Sequence, residues 1–430
     1  MALLVPDAAE FVVLCWEGPD RYALAGGLGS RIDGLTRALA GAGFRTHLFF
    51  IGAPELPGLE IREDGRLLLH RWCQWISAHH PGGVYDGEDG KWRDYTRSVP
   101  RYVADEVAPA AAATGRRLFV LAEEWQTAAA LSGLSDALHF RGLRGQATCV
   151  WNANNVFGFD RVDWGRLGMT ASLTTVSRYM KHVMWARGLN PLVVPNGIPE
   201  GWQGEPPAGD VAALRAGMRA GGADPCFVKV GRWDPDKRWH MAVGAVAALR
   251  RQGLPARLLC KGGMEPHGAE VLRAAAGSGL PVTDVQVPEG AGPRALGDVL
   301  AAAGDAPVLN LKGFLAPATL AALYAAADAV LANSGLEPFG LVGLEAMSAG
   351  ALVFVGTTGE DYAVPLDNTV VVETDDPGEI ARYWLQLAGR PELRAALRAR
   401  AHETAQAFAW DRVLQVLLSR LDYLAATAGR

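Results

Sequence analysis

The sequence predicts an α/β protein made of two parallel-sheet domains in tandem, and three observations carry that expectation. Short apolar runs of strand length alternate with Ala/Leu/Arg segments of helical period, the pattern of parallel strands joined by crossover helices. At 430 residues the chain exceeds what one small core organises, so two domains of roughly 200 residues each are the default. The rhythm breaks once, across 200–225, where Gly-Trp-Gln-Gly-Glu-Pro-Pro and Gly-Gly-Ala-Asp-Pro interrupt it, and then resumes.

Taken in order, the first half offers strands at 11–16, 46–51, 118–122, 148–151, 173–176 and 192–194. Helices are expected at 30–42, 101–113 and 177–187. Residues 52–100 hold Trp72, Trp75, His79, His80 and Trp92 without clear periodicity, and read as a long insertion or loop. The second set places strands at 226–230, 257–261, 308–311, 329–332 and 352–355, with helices at 240–251, 317–326 and 341–349. The stretch beginning Ala409-Trp-Asp-Arg-Val-Leu is amphipathic with helical period. The expected division is 1–197, 198–408 and a terminal helix over 409–430.

Half the residues are hydrophobic and a fifth charged, as in ordinary globular proteins, and a net charge of −5 gives no global attraction to nucleic acid. The five cysteines (15, 73, 149, 226, 260) have no Cys-x-x-Cys spacing, so buried thiols are expected rather than disulfides or zinc ligands. The N-terminus lacks a basic n-region, and no uncharged apolar run reaches bilayer length. A cytoplasmic protein is the expectation, with peripheral membrane contact left open.

Two motifs in the second half carry chemistry. Gly231-Arg-Trp-Asp-Pro-Asp-Lys237 follows a strand directly, the end of an open α/β sheet where ligands bind. Arg232 and Lys237 put two cations on one turn, which suits a diphosphate and would stabilise it as a leaving group. Glu337-Pro-Phe-Gly-Leu-Val-Gly-Leu-Glu345 sets one carboxylate at a strand exit and a second about two turns later, on the following helix. Carboxylates accept hydrogen bonds from sugar hydroxyls, and a helix start attracts an anion. Taken singly, the first motif also reads as a solvated turn and the second as helix capping. The first half adds Gly26-Gly-Leu-Gly29, glycines opening a helix, which read as an anion site or as a tight turn. It also holds Glu123-Glu-Trp-Gln-Thr127 and Trp151-Asn-Ala-Asn-Asn155 at strand ends.

The ordered set resembles the family 4 retaining glycosyltransferases of the GT-B fold, two Rossmann-like domains facing each other across a cleft. The resemblance runs through most of 173–425 and includes Val176-Ser-Arg-Tyr179, Val194-Pro-Asn-Gly-Ile198, the Gly313 segment, Leu323-Tyr-Ala-Ala-Ala-Asp328 and Phe408-Ala-Trp410. It implies that Arg232 and Lys237 hold the nucleotide diphosphate, Glu337 the donor sugar's hydroxyls and Glu345 the ribose. It further implies that Gly231 and the backbone of Phe339, Gly340 and Leu341 meet the donor, and that the terminal helix crosses back to the first domain. The glycine loop is similar to that of starch and glycogen synthases, which would bring Gly27 and Gly29 to the donor phosphate. Those synthases carry Lys where this chain has Leu24, and Glu123 stands where their donor-contacting His would be. Asn152 and Asn154 are candidate acceptor ligands.

No His-x3-His or His-Glu-x-x-His pair appears, and the expectation is that no metal or other cofactor takes part. The expected activity is transfer of a sugar, glucose-type, from a nucleotide-diphosphate sugar to an acceptor hydroxyl, with retention. A sugar-nucleotide epimerase, a disaccharide phosphorylase of the same fold and a non-catalytic sugar-nucleotide-binding protein are the alternatives.

Overall fold

The computed structural model describes residues 4–198, 200–202 and 204–427. The chain forms two compact units, 1–197 with 410–430, and 198–409. As predicted from the alternating pattern, each is an α/β unit on a largely parallel sheet.

The first sheet contains β1 (Ala9–Leu14), β2 (Arg45–Ile51), β3 (Leu59–Arg62), β4 (Leu67–Trp72), β5 (Arg117–Glu123), β6 (Ala147–Ala153), β7 (Ser172–Thr175) and β8 (Leu192–Val193). Their order is β3-β4-β2-β1-β5-β6-β7-β8, and only the edge pair β3–β4 is antiparallel. β1 is buried along its whole length, which is why it reads as a continuous apolar run. It pairs with β2 on one side (Leu14 opposite Phe49) and β5 on the other (Leu14 opposite Ala122). The chain's direction of travel across the sheet therefore reverses between β1 and β5.

The second sheet contains β9 (Cys226–Val230), β10 (Arg257–Lys261), β11 (Val282–Gln286), β12 (Val308–Lys312), β13 (Ala329–Ala332), β14 (Val353–Val355) and β15 (Val370–Val371). All its pairs are parallel, in the order β11-β12-β10-β9-β13-β14-β15, with the reversal between β9 and β13. Its core gathers Phe227, Trp239, Val246, Leu258, Phe354 and Trp384.

The structure corrects the reading of 52–100. This stretch supplies β3, β4 and the helix Glu88–Tyr102 rather than a loop. Polar residues on the buried faces hid the pattern. In β4, His70 stacks beside His47, whose Nε2 meets Glu10 at 3.0 Å, and Arg71 makes a two-pronged pair with Asp20 at 2.8 and 2.9 Å. The buried stripe of the helix is Lys91, Tyr95 and Val99, and the Lys91 ammonium is satisfied by Tyr22 Oη and the Gly83 and Val84 carbonyls. The helix expected over 101–113 is the end of this one, continued through a wider turn at Val103–Val107 into Ala108–Ala113.

The helix Trp410–Thr427 belongs to the first unit. Its first side chain fixes its seat: a Cβ at Gly34 would come within 2.1 Å of the Trp410 indole, and one at Gly197 within 2.4 Å. Only glycine at both positions lets the ring lie flat against the unit. All five cysteines are buried as free thiols. Among the described residues, no helix is long and apolar enough to cross a membrane.

Candidate functional site

In open α/β sheets, ligands sit outside the carboxyl ends of the strands where the strand order reverses. In the second unit that point lies between β9 and β13, and the loops leaving them are Gly231–Lys237 and Asn333–Gly340 by residue number. Both motifs singled out in the sequence are therefore brought to one place. Gly231 has φ +151°, a conformation open to glycine and strained for any other residue, and this turns the chain sharply off β9. Asp234 then accepts the Asp236 N–H at 2.9 Å, and Pro235 starts a single helical turn ending at Lys237. The Gly335 N–H donates to the Asp236 carbonyl at 2.7 Å, which ties the two loops together.

Across that tie, the Lys237 ammonium is hydrogen-bonded to the Glu337 carboxylate. The pair is partly exposed, so both groups remain open to exchange partners. Arg232 is exposed and makes no ion pair among the described residues. Glu337 is held from behind: its N–H and carbonyl both bond the Thr358 hydroxyl, at 2.8 and 3.0 Å.

The loop ends at Gly340, whose φ of +81° caps the helix Leu341–Ser348. A Cβ there would meet Tyr362 Oη at 2.7 Å and Glu360 Cγ at 2.8 Å. Tyr362 instead donates to the Gly340 carbonyl at 2.5 Å, and its ring packs with Phe339 and Phe408. The Phe339 side chain is thus a buried anchor, while the backbone of Phe339, Gly340 and Leu341 forms the helix entrance. Glu345, one turn in, is half-buried, and burial pushes its carboxyl up to about 8.

Two residues here escaped sequence reasoning. Lys229 lies in the buried stretch of β9, and its ammonium donates to the Leu331 carbonyl at 3.0 Å and Asn333 Oδ1 at 2.8 Å. It fastens β9 to the end of β13, and burial, assisted by Lys237, pushes it down to about 7. A lysine inside an apolar run was the available signal. Glu360 lies behind Gly340 with one carboxylate oxygen buried and unpartnered among the described residues, and burial with the charge of Glu337 raises it to about 7.

The corresponding point in the first unit lies between β1 and β5. Here the structure places the expected residues differently. The glycine loop does hold an anion at the helix start, but that anion is Glu17. Its Oε2 accepts the N–H groups of Gly26 and Gly29 at 3.0 Å and of Ala25 at 3.2 Å. Its other oxygen accepts from Tyr85 at 2.6 Å. A Cβ at Gly29 would come within 3.1 Å of this carboxylate, whereas Gly27 is exposed.

Glu123 is 1% exposed and forms a 3.2 Å ion pair with Arg31. Its second oxygen accepts from the side-chain amides of Asn152 and Asn154, each at 2.8 Å. Asn152 in turn accepts from Thr174 at 2.9 Å, and Arg31 also reaches Asn196 and stacks near the Trp410 ring. The expected donor contact and the two expected acceptor ligands therefore form one buried network within the unit. Glu124 is the residue the sequence reading passed over. Its φ is +66°, rare for a side chain of this size, and its carboxylate accepts the Asn154 N–H at 2.7 Å. Burial raises it to about 8, and the side-chain oxygen of Asn154 is buried without a hydrogen-bond partner among the described residues.

These features accord with what the chain is similar to. A sucrose-phosphate synthase from Thermosynechococcus elongatus matches with a TM-score of 0.67 at 18% identity, over 98% of this chain and 100% of that one. The catalytic domain of starch synthase IV from Arabidopsis thaliana, bound to ADP and acarbose, matches at 0.64 and 16% identity, over 97% and 99%. The fold is GT-B. Residues 212–404, which lie within the second unit, match the family model for glycosyl transferases group 1. A D-inositol 3-phosphate glycosyltransferase from Saccharomonospora viridis is 34% identical over 218 residues, 49% of this chain and 45% of that protein. The chain spans about half the length of the curated relatives it matches.

Proposed function

We propose that the protein is a retaining glycosyltransferase that moves a glucose-type sugar from a nucleotide-diphosphate sugar to an acceptor hydroxyl, without a metal in the reaction. The observation that carries this reading is the Lys237–Glu337 pair at the switch point of the second unit, with Arg232 exposed on the same turn. A diphosphate would take Lys237 from Glu337. The released carboxylate would then accept hydrogen bonds from the donor sugar's hydroxyls, so one exchange engages both halves of the donor. Arg232 and Lys237 would stabilise the charge developing on the departing phosphate. Glu345 would accept the ribose hydroxyls, and the helix entrance at Phe339–Leu341 by residue number would face the phosphate. With the acceptor hydroxyl attacking from the leaving group's side, the departing phosphate oxygen takes its proton.

Thermal-shift screening against a panel of nucleotide-diphosphate sugars finds the donor, since a ligand bound only by the folded state raises the midpoint. The best donor is then incubated with acceptors that include inositol phosphates and glucans, and the product's anomeric configuration is read by NMR. Retained configuration in chelator-treated buffer supports the proposal; inversion, or activity abolished by the chelator, overturns it. Conversion of the donor without acceptor indicates the epimerase instead, and cleavage of a disaccharide by inorganic phosphate the phosphorylase.

A further inference from the structure

We infer that the second unit binds a divalent cation of the zinc class through His240, His267 and Glu270, outside the sugar-transfer chemistry. The site is built by two helices that start at the same edge of the sheet. His240 is the second residue of Trp239–Arg251, which follows β9 and the Lys237 turn. His267 opens His267–Gly277, which follows β10, and Glu270 stands one turn further on. One ligand atom from each of the three residues lies within 4.8 Å of the other two. His267 Nδ1 is 3.0 Å from one Glu270 oxygen, and His240 Nε2 is 3.8 Å from the other.

Two imidazoles and a carboxylate are the three-ligand set that zinc accepts with a fourth position left to water. Donors on one zinc ion are about 3.3 Å apart at its usual bond lengths, so closure needs shifts of about an ångström. The side chains that must shift are free to do so: His240 is 49% and Glu270 62% exposed. Without a bound ion the Glu270 carboxylate holds the proton on His267 Nδ1, so ligation there moves it to Nε2, which is buried without a hydrogen-bond partner among the described residues, and this lowers the affinity. The positive ends of two helices disfavour a cation here, which makes the Glu270 charge necessary and the affinity moderate. Sequence spacing hides the site, because the two histidines are 27 positions apart on separate helices.

A bound ion would staple the first turns of both helices beside the donor turn. That turn already leans on the segment that leads into the second of them, since the Trp233 N–H donates to Glu265 at 3.0 Å. The proposal stands apart from the transferase reading and is tested without any sugar. The full chain is dialysed against micromolar zinc chloride, and bound metal is measured by mass spectrometry alongside the thermal midpoint. One equivalent per chain and a raised midpoint are expected, with both lost in His240→Ala and in Glu270→Gln. Both variants change exposed side chains, and unaltered circular dichroism certifies their fold. No uptake by the parent protein, or equal uptake by both variants, overturns the site.

Discussion

The two sheets reverse strand order in the same way, yet their switch points are filled differently. In the second unit a partly exposed lysine faces a partly exposed glutamate, and an exposed arginine stands on the same turn. In the first unit the protein's own groups take every equivalent place: Glu17 fills the glycine nest, and Arg31 and Glu123 neutralise each other under cover. The same topology therefore supplies one place ready to exchange partners and one already satisfied. Burial decides which. A pair in contact with water gives up little when a ligand replaces one member, whereas a buried pair leaves a bare charge behind.

The hardest test of that contrast is Arg31→Ala. It strands the Glu123 carboxylate at 1% exposure, and the expected loss of stability is about 3–5 kcal/mol, read as a drop in the urea midpoint. A loss below about 1 kcal/mol would mean that the first unit's pair is as exchangeable as the second's.

Lys237→Ala is the counterpart. Its partner is part-exposed, so the melting curve should move little, while turnover of the donor should fall about 10²–10³-fold, the usual cost of losing one preorganised group at a developing negative charge. Single-turnover kinetics with saturating donor separates this from weaker binding. Full turnover in the variant would remove Lys237 from the site.

The difference between the units also explains what could be read in the sequence. Gly231, Lys237, Glu337 and Glu345 were legible because each sits at a fixed offset from a strand end, and strand ends follow from apolar runs alone. The α/β fold was legible for the same reason. The glycine loop was only half legible: its N–H groups advertise an anion whether that anion is a ligand or Glu17, nine to twelve residues back. Glu123 and Asn152 carry polar side chains at strand ends exactly as ligand-binding residues do, and only packing reveals their mutual commitment. β4 and the helix Glu88–Tyr102 were illegible because His70, Arg71 and Lys91 occupy buried positions, paired with groups far away in sequence: His47 on β2, and Asp20 and Tyr22 in the loop after β1.

Glu17→Ala probes the filled nest directly. Three N–H groups and the Tyr85 hydroxyl lose their common acceptor, and a loss of about 1–3 kcal/mol in unfolding free energy is expected. Donor affinity, measured by calorimetry, should stay within about twofold if the nest serves the fold. Tighter donor binding in the variant would show that Glu17 and the donor compete for the same amides.

The smallest effect expected concerns protons. Burial holds the Glu345 carboxyl near 8, against 4.5 in an unfolded chain, so the folded protein keeps an extra proton between those values. By linkage, the stability from this group is fully present below the lower value and declines as pH rises towards the higher one. Donor binding should run the other way. A ribose hydroxyl donating to Glu345 favours the ionised carboxylate, so binding expels the proton and tightens as pH approaches 8 from below. One proton released corresponds to about tenfold in Kd per pH unit at most. A nucleotide-diphosphate sugar does not titrate in this range, which keeps the ligand out of the measurement, and Glu345→Gln should flatten the slope while Glu360 stays intact. A slope that survives in Glu345→Gln would move the proton to Glu360 or Lys229, both of which lie near 7, and would place the ribose away from Glu345.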